Sequence, residues 1–149
     1  MKKLILLAGL VLTSNGWAVD HSDLDRSINS HQQQFEKIAL QIWDIAEVGY
    51  QEYQSSSLLK ESLAKEGFSI EDNVANIPTA FIAEYSNGGP VIGILGEYDA
   101  LPGLMQTSSP FKEARNDVIA GHACGHHLFG AASAWAAIAV KEWLVKTNT

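Results

Sequence analysis

Basic residues are scarce in this chain. It carries 10 lysine and arginine residues against 17 aspartate and glutamate residues, for a formal net charge of −7. No run of basic residues stands out from this acidic balance. The chain therefore lacks the positive stripe with which proteins neutralise nucleic-acid phosphates. We predict that it has no nucleic-acid partner.

Charged residues are few overall, at 18% of the chain, whereas 46% of the residues are hydrophobic. Disordered tails and coiled coils carry more charge than this and have fewer residues able to form a core. Internal repeats and low-complexity tracts are also lacking. A length of 149 residues fits one globular domain or a piece of a larger one.

The hydrophobic run near the N-terminus, residues 4–12, is too short to anchor the chain in a bilayer. Two lysines precede it, and the small residues Gly16 and Ala18 stand at the −3 and −1 positions of a cleavage site. We predict that residues 1–18 are a signal peptide and that residues 19–149 are periplasmic or secreted, with no membrane attachment after cleavage. The alternative is a retained N-terminal anchor.

Cysteine is almost absent, since Cys124 is the only one. In an oxidising compartment an unpaired thiol is exposed to oxidation or mispairing. We therefore expect Cys124 to be buried, to bind a metal, or to pair with another chain. His122, His126 and His127 lie within three residues of it, and borderline-soft transition metals prefer thiolate and imidazole ligands. These neighbours favour a metal site, and the alternative is a buried thiol beside histidines that bind nothing.

Hydrophobic spacing predicts three helices, over residues 31–46, 55–66 and 128–146. Gly67 suits the left-handed position after the second helix, where Phe68 can close back on Leu63. The third helix follows the histidine cluster directly. The cluster is therefore predicted to lie at a helix N-terminus, where the partial positive charge favours a thiolate.

Strand signals fill the centre of the chain, at residues 68–71, 79–85 and 91–96. The turn at residues 86–90 predicts a hairpin between the last two of these strands. Residues 91–96 are apolar throughout, which is typical of a central strand covered on both faces.

Two carboxylates, Glu97 and Asp99, follow the apolar strand. Ligands of α/β sheets bind at the carboxyl ends of strands, so these residues are candidates to bind a metal or to orient a metal-bound histidine. We favour a functional role for Asp99 and leave that of Glu97 open, the alternative being that they cap the loop at residues 100–103. In the long connection that follows, Leu104, Met105 and Phe111 either line an apolar pocket or fix the loop in place.

Two segments together resemble a known family. They are Gly96 to Gly103, GEYDALPG, and Gly121 to His126, GHACGH. In this order they are similar to the dinuclear-metal amidohydrolases of the aminoacylase and carboxypeptidase superfamily, and most of all to the B-subunit group of the aminobenzoyl-glutamate hydrolases. The segment at residues 46–52, AEVGYQE, is also similar to that family.

The resemblance implies an α/β fold, a three-layer mixed-sheet catalytic domain of the zinc-peptidase type. It implies two divalent metals, manganese or zinc, with Cys124 and His126 as metal ligands and Asp99 as the residue that orients a ligand. It further implies hydrolysis of an amide between an acyl or aminobenzoyl group and an amino acid such as glutamate. The complete enzyme is then expected to form a homo-oligomer or to pair with a second subunit.

The sequence departs from the family pattern at two places. His127 stands where relatives usually have asparagine or aspartate, so its role is open, as is that of His122. The family pattern also continues with a Glu-Glu pair and further histidine ligands, which these 149 residues lack. We therefore expect the chain to be the N-terminal part of such a domain, without its lid or dimerisation domain, and inactive alone.

Three other hypotheses remain at this point. The first is an exported metal-binding or partner-binding remnant with no catalysis. The second is thiol catalysis by Cys124 with a histidine as base. The third is an unstable fragment that exposes apolar surface.

Overall fold

The structure, a computed structural model, describes residues 21–148. The predicted signal peptide lies outside the described residues. Seven helices and strands and one short 3-10 turn follow one another along the described chain. They are α1 (Ser22–Ile45), α2 (Tyr53–Lys65), β1 (Ser69–Asp72), the 3-10 turn Val74–Asn76, β2 (Phe81–Glu84), β3 (Leu101–Pro102), β4 (Ala120–Gly121) and α3 (His126–Thr147).

The main core lies where the three helices meet. It is formed by α1 residues at spacings of three and four, by two leucines of α2 and by small or β-branched residues of α3. The rings of Phe35 on α1 and Trp135 on α3 stack with their centroids 5.9 Å apart. All three predicted helices are thus confirmed. The buried core residues are Phe35, Ile38, Ala39, Ile42, Leu59, Leu63, Ala131, Ala134 and Ile138.

The C-terminal ends of α1 and α2 agree with the prediction, whereas α1 begins earlier than predicted. Gly67 has φ +88°, and the Phe68 N–H donates to the Leu63 carbonyl at 3.1 Å, which is the predicted Schellman ending. Helix α1, predicted over residues 31–46, begins at Ser22. It ends at Ile45, and the following Ala46 adopts φ 50° and donates its N–H to the Ile42 carbonyl.

The sheets are smaller than the sequence predicts. Strands β1 and β2 pair antiparallel, as do β3 and β4. The predicted hairpin between β2 and residues 91–96 is wrong, because β2 pairs with β1. Residues 91–96 form no strand, and the prediction that both their faces are covered is also wrong, since Val91 is 100% exposed. The described residues therefore combine three helices with two small antiparallel sheets, which is compatible with an α/β fold, and the three-layer mixed sheet stays a prediction.

Helix α3 is apolar on more than one side. By length and composition alone it could cross a membrane, with 28% of the relevant stretch buried. It packs on α1 and α2 through Ala134 and Ile138, and it carries Lys141 and Glu142 near its end. We interpret it as a core helix of the α/β fragment, with one face left open.

Candidate metal centre

His126, the first residue of α3, lies between two carboxylates. Its Nδ1 is 2.7 Å from Asp99 Oδ1, and its Nε2 is 3.0 Å from Glu97 Oε2. Potential ligand atoms of the three side chains all lie within 4.8 Å of one another. The His126 side chain is 17% exposed, Asp99 31% and Glu97 49%, so the cluster opens to solvent on the Glu97 side.

Two glycines place α3 beside the acidic residues. Gly125 precedes the helix with φ +86°, a conformation that favours glycine over residues with a Cβ. Gly130 lies one turn into α3, where an added Cβ would come within 2.7 Å of the Glu97 carbonyl oxygen. The absence of a side chain at Gly130 therefore allows the close approach that brings His126 to Glu97 and Asp99.

The segment at residues 46–52 holds the chain just after Asp99. The Ala100 N–H donates to the Glu47 carbonyl at 2.7 Å, and Val48 and Ala100 form a parallel bridge. The Glu47 carboxylate accepts the backbone N–H groups of Gln54 and Ser55 at 3.0 and 2.8 Å. Glu47 thereby caps α2 with its side chain and fixes Ala100 with its backbone.

Tyr98 is fixed by a buried polar network. Its hydroxyl donates to the Thr79 carbonyl, and the Thr79 hydroxyl donates to Glu52 Oε2 at 2.6 Å. Burial first, and then the Glu52 and Asp72 carboxylates, raise the pKa of Tyr98 to about 12. Since Tyr98 stands between Glu97 and Asp99 in the chain, this network holds the backbone from which both carboxylates project.

Cys124 is exposed. It lies in the turn between β4 and α3, which is closed by a hydrogen bond from Gly125 N–H to the His122 carbonyl at 3.0 Å. Cys124 stands outside the cluster of Glu97, Asp99 and His126. Its assignment as a metal ligand stays a prediction, as do the roles of His126 and Asp99.

His122 and His127 lie side by side behind the cluster, with ring centroids 4.9 Å apart. His122 is buried, and because a carbonyl can only accept, its Nε2 donates to Ile42 at the end of α1 (3.0 Å). Burial lowers the pKa of His122 and lowers that of His127 to about 4, where His122 adds to the effect. Both imidazoles are therefore neutral near pH 7, and His122 joins the loop to α1.

A pocket of about 570 Å³ adjoins the loop before Cys124. Among the residues that line it are Leu104, Met105, Phe111 and Ala123. That the long connection forms an apolar binding pocket stays a prediction, since Phe111 is 80% exposed. The volume of the pocket is in the range of small-molecule sites.

A second cluster, His31, Glu66 and Glu142, also brings ligand atoms within 4.8 Å. His31 Nε2 is 3.0 Å from Glu142 Oε1, and the Lys141 ammonium lies 3.4 Å from Glu66 Oε2 and 2.8 Å from its carbonyl. Lys141 pairs with Glu66 and His31 with Glu142, so we interpret the cluster as a polar network that ties α1, α2 and α3 together.

Sequence reasoning left Glu97 open and did not identify Glu47 and Glu52 as anchors of the site. The available signal was the AEVGYQE segment, in which both glutamates stand. Which group each carboxylate binds depends on contacts between residues distant in the chain, such as that of Glu52 with the Thr79 hydroxyl, and local spacing does not show these contacts.

Curated proteins similar to this chain are hydrolases. Over 124 residues, it is 45% identical to the B-subunit of p-aminobenzoyl-glutamate hydrolase from Escherichia coli (strain K12), a match that covers 81% of this chain and 25% of that protein. It is 30% identical over 95 residues to hippurate hydrolase of Campylobacter jejuni, covering 64% of this chain and 24% of that protein. It is 35% identical over 92 residues to thermostable carboxypeptidase 1 of Saccharolobus solfataricus, covering 60% and 23% respectively.

No family model matches the chain. The chain spans about a quarter of the length of the curated relatives that it matches. Those relatives are named as hydrolases of aminobenzoyl-glutamate and hippurate and as a carboxypeptidase. On these similarities, the chain belongs to the amidohydrolase and metallopeptidase superfamily of the aminoacylase and carboxypeptidase type.

Proposed function

We propose that this chain forms the N-terminal part of the catalytic domain of an exported metal-dependent amidohydrolase. The substrate is an amide that joins an acyl or aminobenzoyl group to an amino acid such as glutamate. The observation that carries the proposal is His126 at the start of α3, within 3.0 Å of both Glu97 and Asp99. The similarity to aminobenzoyl-glutamate and hippurate hydrolases supports the substrate class.

The donor set of the cluster fits a divalent cation. Carboxylate oxygen and imidazole nitrogen suit zinc and manganese, and the ligand atoms are already within 4.8 Å of one another. With Asp99 accepting from Nδ1–H, the His126 lone pair lies on Nε2, on the side of Glu97. Asp99 is then the residue that orients the imidazole. His126 and Cys124 are metal ligands, and Glu97 is a third.

Divalent cations at such a site supply a water of lowered pKa and polarise the amide carbonyl. The residues of this chain have a different task. Asp99 keeps the imidazole in one tautomer and orientation, and Glu47 and Tyr98 hold the segment on which Glu97 and Asp99 stand. The pocket beside Ala123 accepts the apolar acyl or aminobenzoyl group against Met105 and Phe111.

The larger assembly is part of the same proposal. We propose that the complete enzyme has a zinc-peptidase-like mixed sheet and two metals per site. It forms a homo-oligomer or pairs with a second subunit, and it is periplasmic or secreted. The Escherichia coli relative is itself named as one subunit of its hydrolase, which supports a partner polypeptide.

A chimera tests the function. Residues 21–148 of this chain replace the matching quarter of the Escherichia coli relative, and hydrolysis of p-aminobenzoyl-glutamate is measured with Mn²⁺ or Zn²⁺ and with a chelator. We expect turnover that the chelator abolishes and that His126→Ala lowers by at least about a hundredfold, while the exposed-site control Asp44→Asn retains it. A folded, metal-loaded chimera that cleaves neither p-aminobenzoyl-glutamate nor hippurate would contradict the proposal.

A further inference from the structure

Arg115 connects the long loop before the histidine cluster to α1. In residues 110–117, every residue except Arg115 is exposed, whereas the Arg115 side chain is only 14% exposed. Arginine is mostly exposed in folded proteins unless it is paired. That Arg115 is the covered residue of an otherwise exposed stretch indicates that its contacts hold the stretch in place.

Three groups surround the Arg115 guanidinium. Its Nε and Nη2 donate to the two carboxylate oxygens of Asp117 at 3.1 and 2.6 Å, and this hydrogen bonding lowers the pKa of Asp117. Its Cζ lies 4.9 Å from the centroid of the Trp43 ring, close enough for a cation–π contact. Its Nη2 also donates to the backbone carbonyl of Asp44 at 3.4 Å. The planar guanidinium makes these contacts together, which the single ammonium of a lysine cannot do.

The Asp44 carboxylate itself adds little to this arrangement. It is 70% exposed, and its Oδ1 lies 3.5 Å from Arg115 Nη1. Exposed ion pairs of this kind are weak because water screens them. The attachment to α1 therefore consists of the Trp43 ring and the Asp44 backbone carbonyl, and Asp44→Asn leaves both in place.

These contacts are how the loop is attached to α1. Within residues 21–148, the hydrogen bonds that join residues 105–117 to the rest of the fold all come from Arg115. The other hydrogen bonds of this stretch stay inside it. The Thr107 N–H donates to the Glu113 carbonyl at 3.0 Å, and the Thr107 hydroxyl donates to Glu113 Oε2 at 3.2 Å. The stretch is thus a unit closed on itself, and Arg115 sets its position relative to α1.

The same unit lines the pocket of about 570 Å³. The lining residues are 103–107, 109–114 and Ala123, which precedes Cys124 directly. Arg115 follows the last lining residue of the loop and is not itself part of the lining. It can therefore act on a ligand in the pocket only through the position of the loop.

One turn of α1 holds both the pocket loop and the histidine cluster. The Ile42 carbonyl accepts from His122 Nε2 at 3.0 Å, and Trp43 and Asp44, the next two residues, hold Arg115. The pocket loop and the turn that carries Cys124 are consequently fixed to neighbouring residues of one rigid helix. This shared attachment sets the pocket at a constant distance from the candidate metal ligands.

We propose that Arg115 is a positioning residue for the substrate. By holding the loop on Trp43, it fixes the pocket wall at residues 105–114 against the Cys124 turn, and it thereby determines how tightly an aromatic acyl group is bound. The inference rests on the proposed function for the identity of the ligand. The attachment of the loop does not depend on hydrolysis, so the two can fail separately.

The test uses the chimera with the Escherichia coli relative. Arg115→Gln keeps a polar side chain but removes the charge and the two-pronged pairing with Asp117. We expect the KM for p-aminobenzoyl-glutamate to rise about tenfold while kcat changes less than about twofold, since binding is weakened and the reacting groups are not. The affinity for Zn²⁺ should not change, and calorimetry should show a rise of about tenfold in the Kd of p-aminobenzoyl-glutamate for the metal-free chimera.

A second variant and a control locate the effect. Asp117→Asn, at a side chain that is 67% exposed, should raise the KM in the same direction by about threefold. Arg26→Gln, at an arginine of α1 that is 73% exposed, is the matched control and should leave KM and kcat unchanged. Circular dichroism should be the same for all three variants.

Hydrogen exchange reports the position of the loop without any substrate. In Arg115→Gln the amides of residues 105–114 should exchange at least about fivefold faster than in the wild type, because the loop loses its attachment to α1. The control Arg26→Gln should leave these amides unchanged.

The assignment of Arg115 is overturned if exchange of the loop is unchanged in Arg115→Gln, or if kcat falls while KM stays constant. It is also overturned if Zn²⁺ affinity falls in parallel with substrate affinity, since the whole site is then disturbed. Binding that weakens in Arg115→Gln, in a chimera without hydrolysis, retains the role of Arg115 and contradicts the proposed function. Hydrolysis with an unchanged KM contradicts the role of Arg115 alone, and a chimera that neither binds nor hydrolyses the substrate contradicts both.

Discussion

At the residue scale, the site depends on a histidine with a carboxylate at each ring nitrogen. Asp99 lies at Nδ1 and Glu97 at Nε2, at 2.7 and 3.0 Å. The shorter contact belongs to the less exposed carboxylate, which is suited to orienting the ring. The more exposed Glu97 is suited to sharing a cation with Nε2.

The orienting role of Asp99 predicts the effect of Asp99→Asn on metal binding. The asparagine amide oxygen accepts from Nδ1–H without the negative charge of the carboxylate. The imidazole then donates less electron density to the cation, so the affinity of the chain for Zn²⁺ should fall about 10–100-fold. Isothermal titration calorimetry measures this directly. Asp44→Asn, an exposed carboxylate on α1, is the matched control, and equal affinities of the wild type and Asp99→Asn would remove Asp99 from the site.

The buried phenol of Tyr98 predicts a loss of stability at high pH. Its pKa is about 12 in the fold against 10 for an ordinary tyrosine. The unfolded chain therefore releases the phenol proton first, and the contribution of Tyr98 is fully present below pH 10 and is lost as the pH rises through 12. Urea unfolding at about pH 9 and about pH 11 should show a larger loss for the wild type than for Tyr98→Phe. Equal losses would place Tyr98 outside the buried network.

At the element scale, the site is assembled by three contacts between elements that are distant in sequence. Helix α3 approaches residues 97–98 at Gly130, the turn after α1 bonds to Ala100, and His122 joins the loop to the end of α1. Each contact brings a motif of the family resemblance onto another element of the fold.

The close approach at Gly130 predicts that Gly130→Ala is destabilising. In an exposed helix this substitution would stabilise by about 1 kcal/mol. Here the new Cβ meets the Glu97 carbonyl at 2.7 Å, so we expect a loss of about 1–3 kcal/mol and weaker Zn²⁺ binding. Chemical denaturation measures the change. Gly93→Ala, where nothing lies within 4 Å of the added Cβ, is the control and should leave Zn²⁺ binding unchanged.

The cap on α2 predicts the cost of Glu47→Ala. The variant leaves the N–H groups of Gln54 and Ser55 without their carboxylate partner, and the free energy of unfolding should fall by about 1–2 kcal/mol. Glu36→Ala, at an exposed glutamate of α1 whose one hydrogen-bond partner within residues 21–148 is Gln32, should change the free energy of unfolding far less. Similar losses in both variants would show that the Glu47 carboxylate does not act as a cap.

At the scale of the whole molecule, the sequence predicts helices and motifs better than sheets. The spacing of Phe35, Ile38 and Ile42 identifies α1, and Gly67 identifies the end of α2, because both signals are local. The pairing of β2 with β1 instead of with residues 91–96 is a choice between partners distant in the chain, which alternation does not encode. The position of Asp99 after an apolar strand, together with the histidine cluster that follows, predicted a role beside a histidine, whereas the contact of Glu97 with His126 was left open.

Residues 91–96 were predicted to be a strand covered on both faces, and within the described residues they are not. The composition of segment 91–95 is that of a strand with neighbours on both sides. The described fold offers it only α3, and at one end. The sequence of the segment thus matches a buried environment that residues 21–148 do not provide.

The central claim is that this chain binds a divalent cation through His126 and Cys124, with Asp99 as the orienting residue. The most direct measurement is the absorption spectrum of the chain loaded with Co²⁺, in the wild type and in Cys124→Ser. We predict a thiolate-to-cobalt charge-transfer band in the wild type that Cys124→Ser removes and His126→Ala weakens. A Co²⁺ complex with no such band, or a band unaffected by His126→Ala, would contradict the claim.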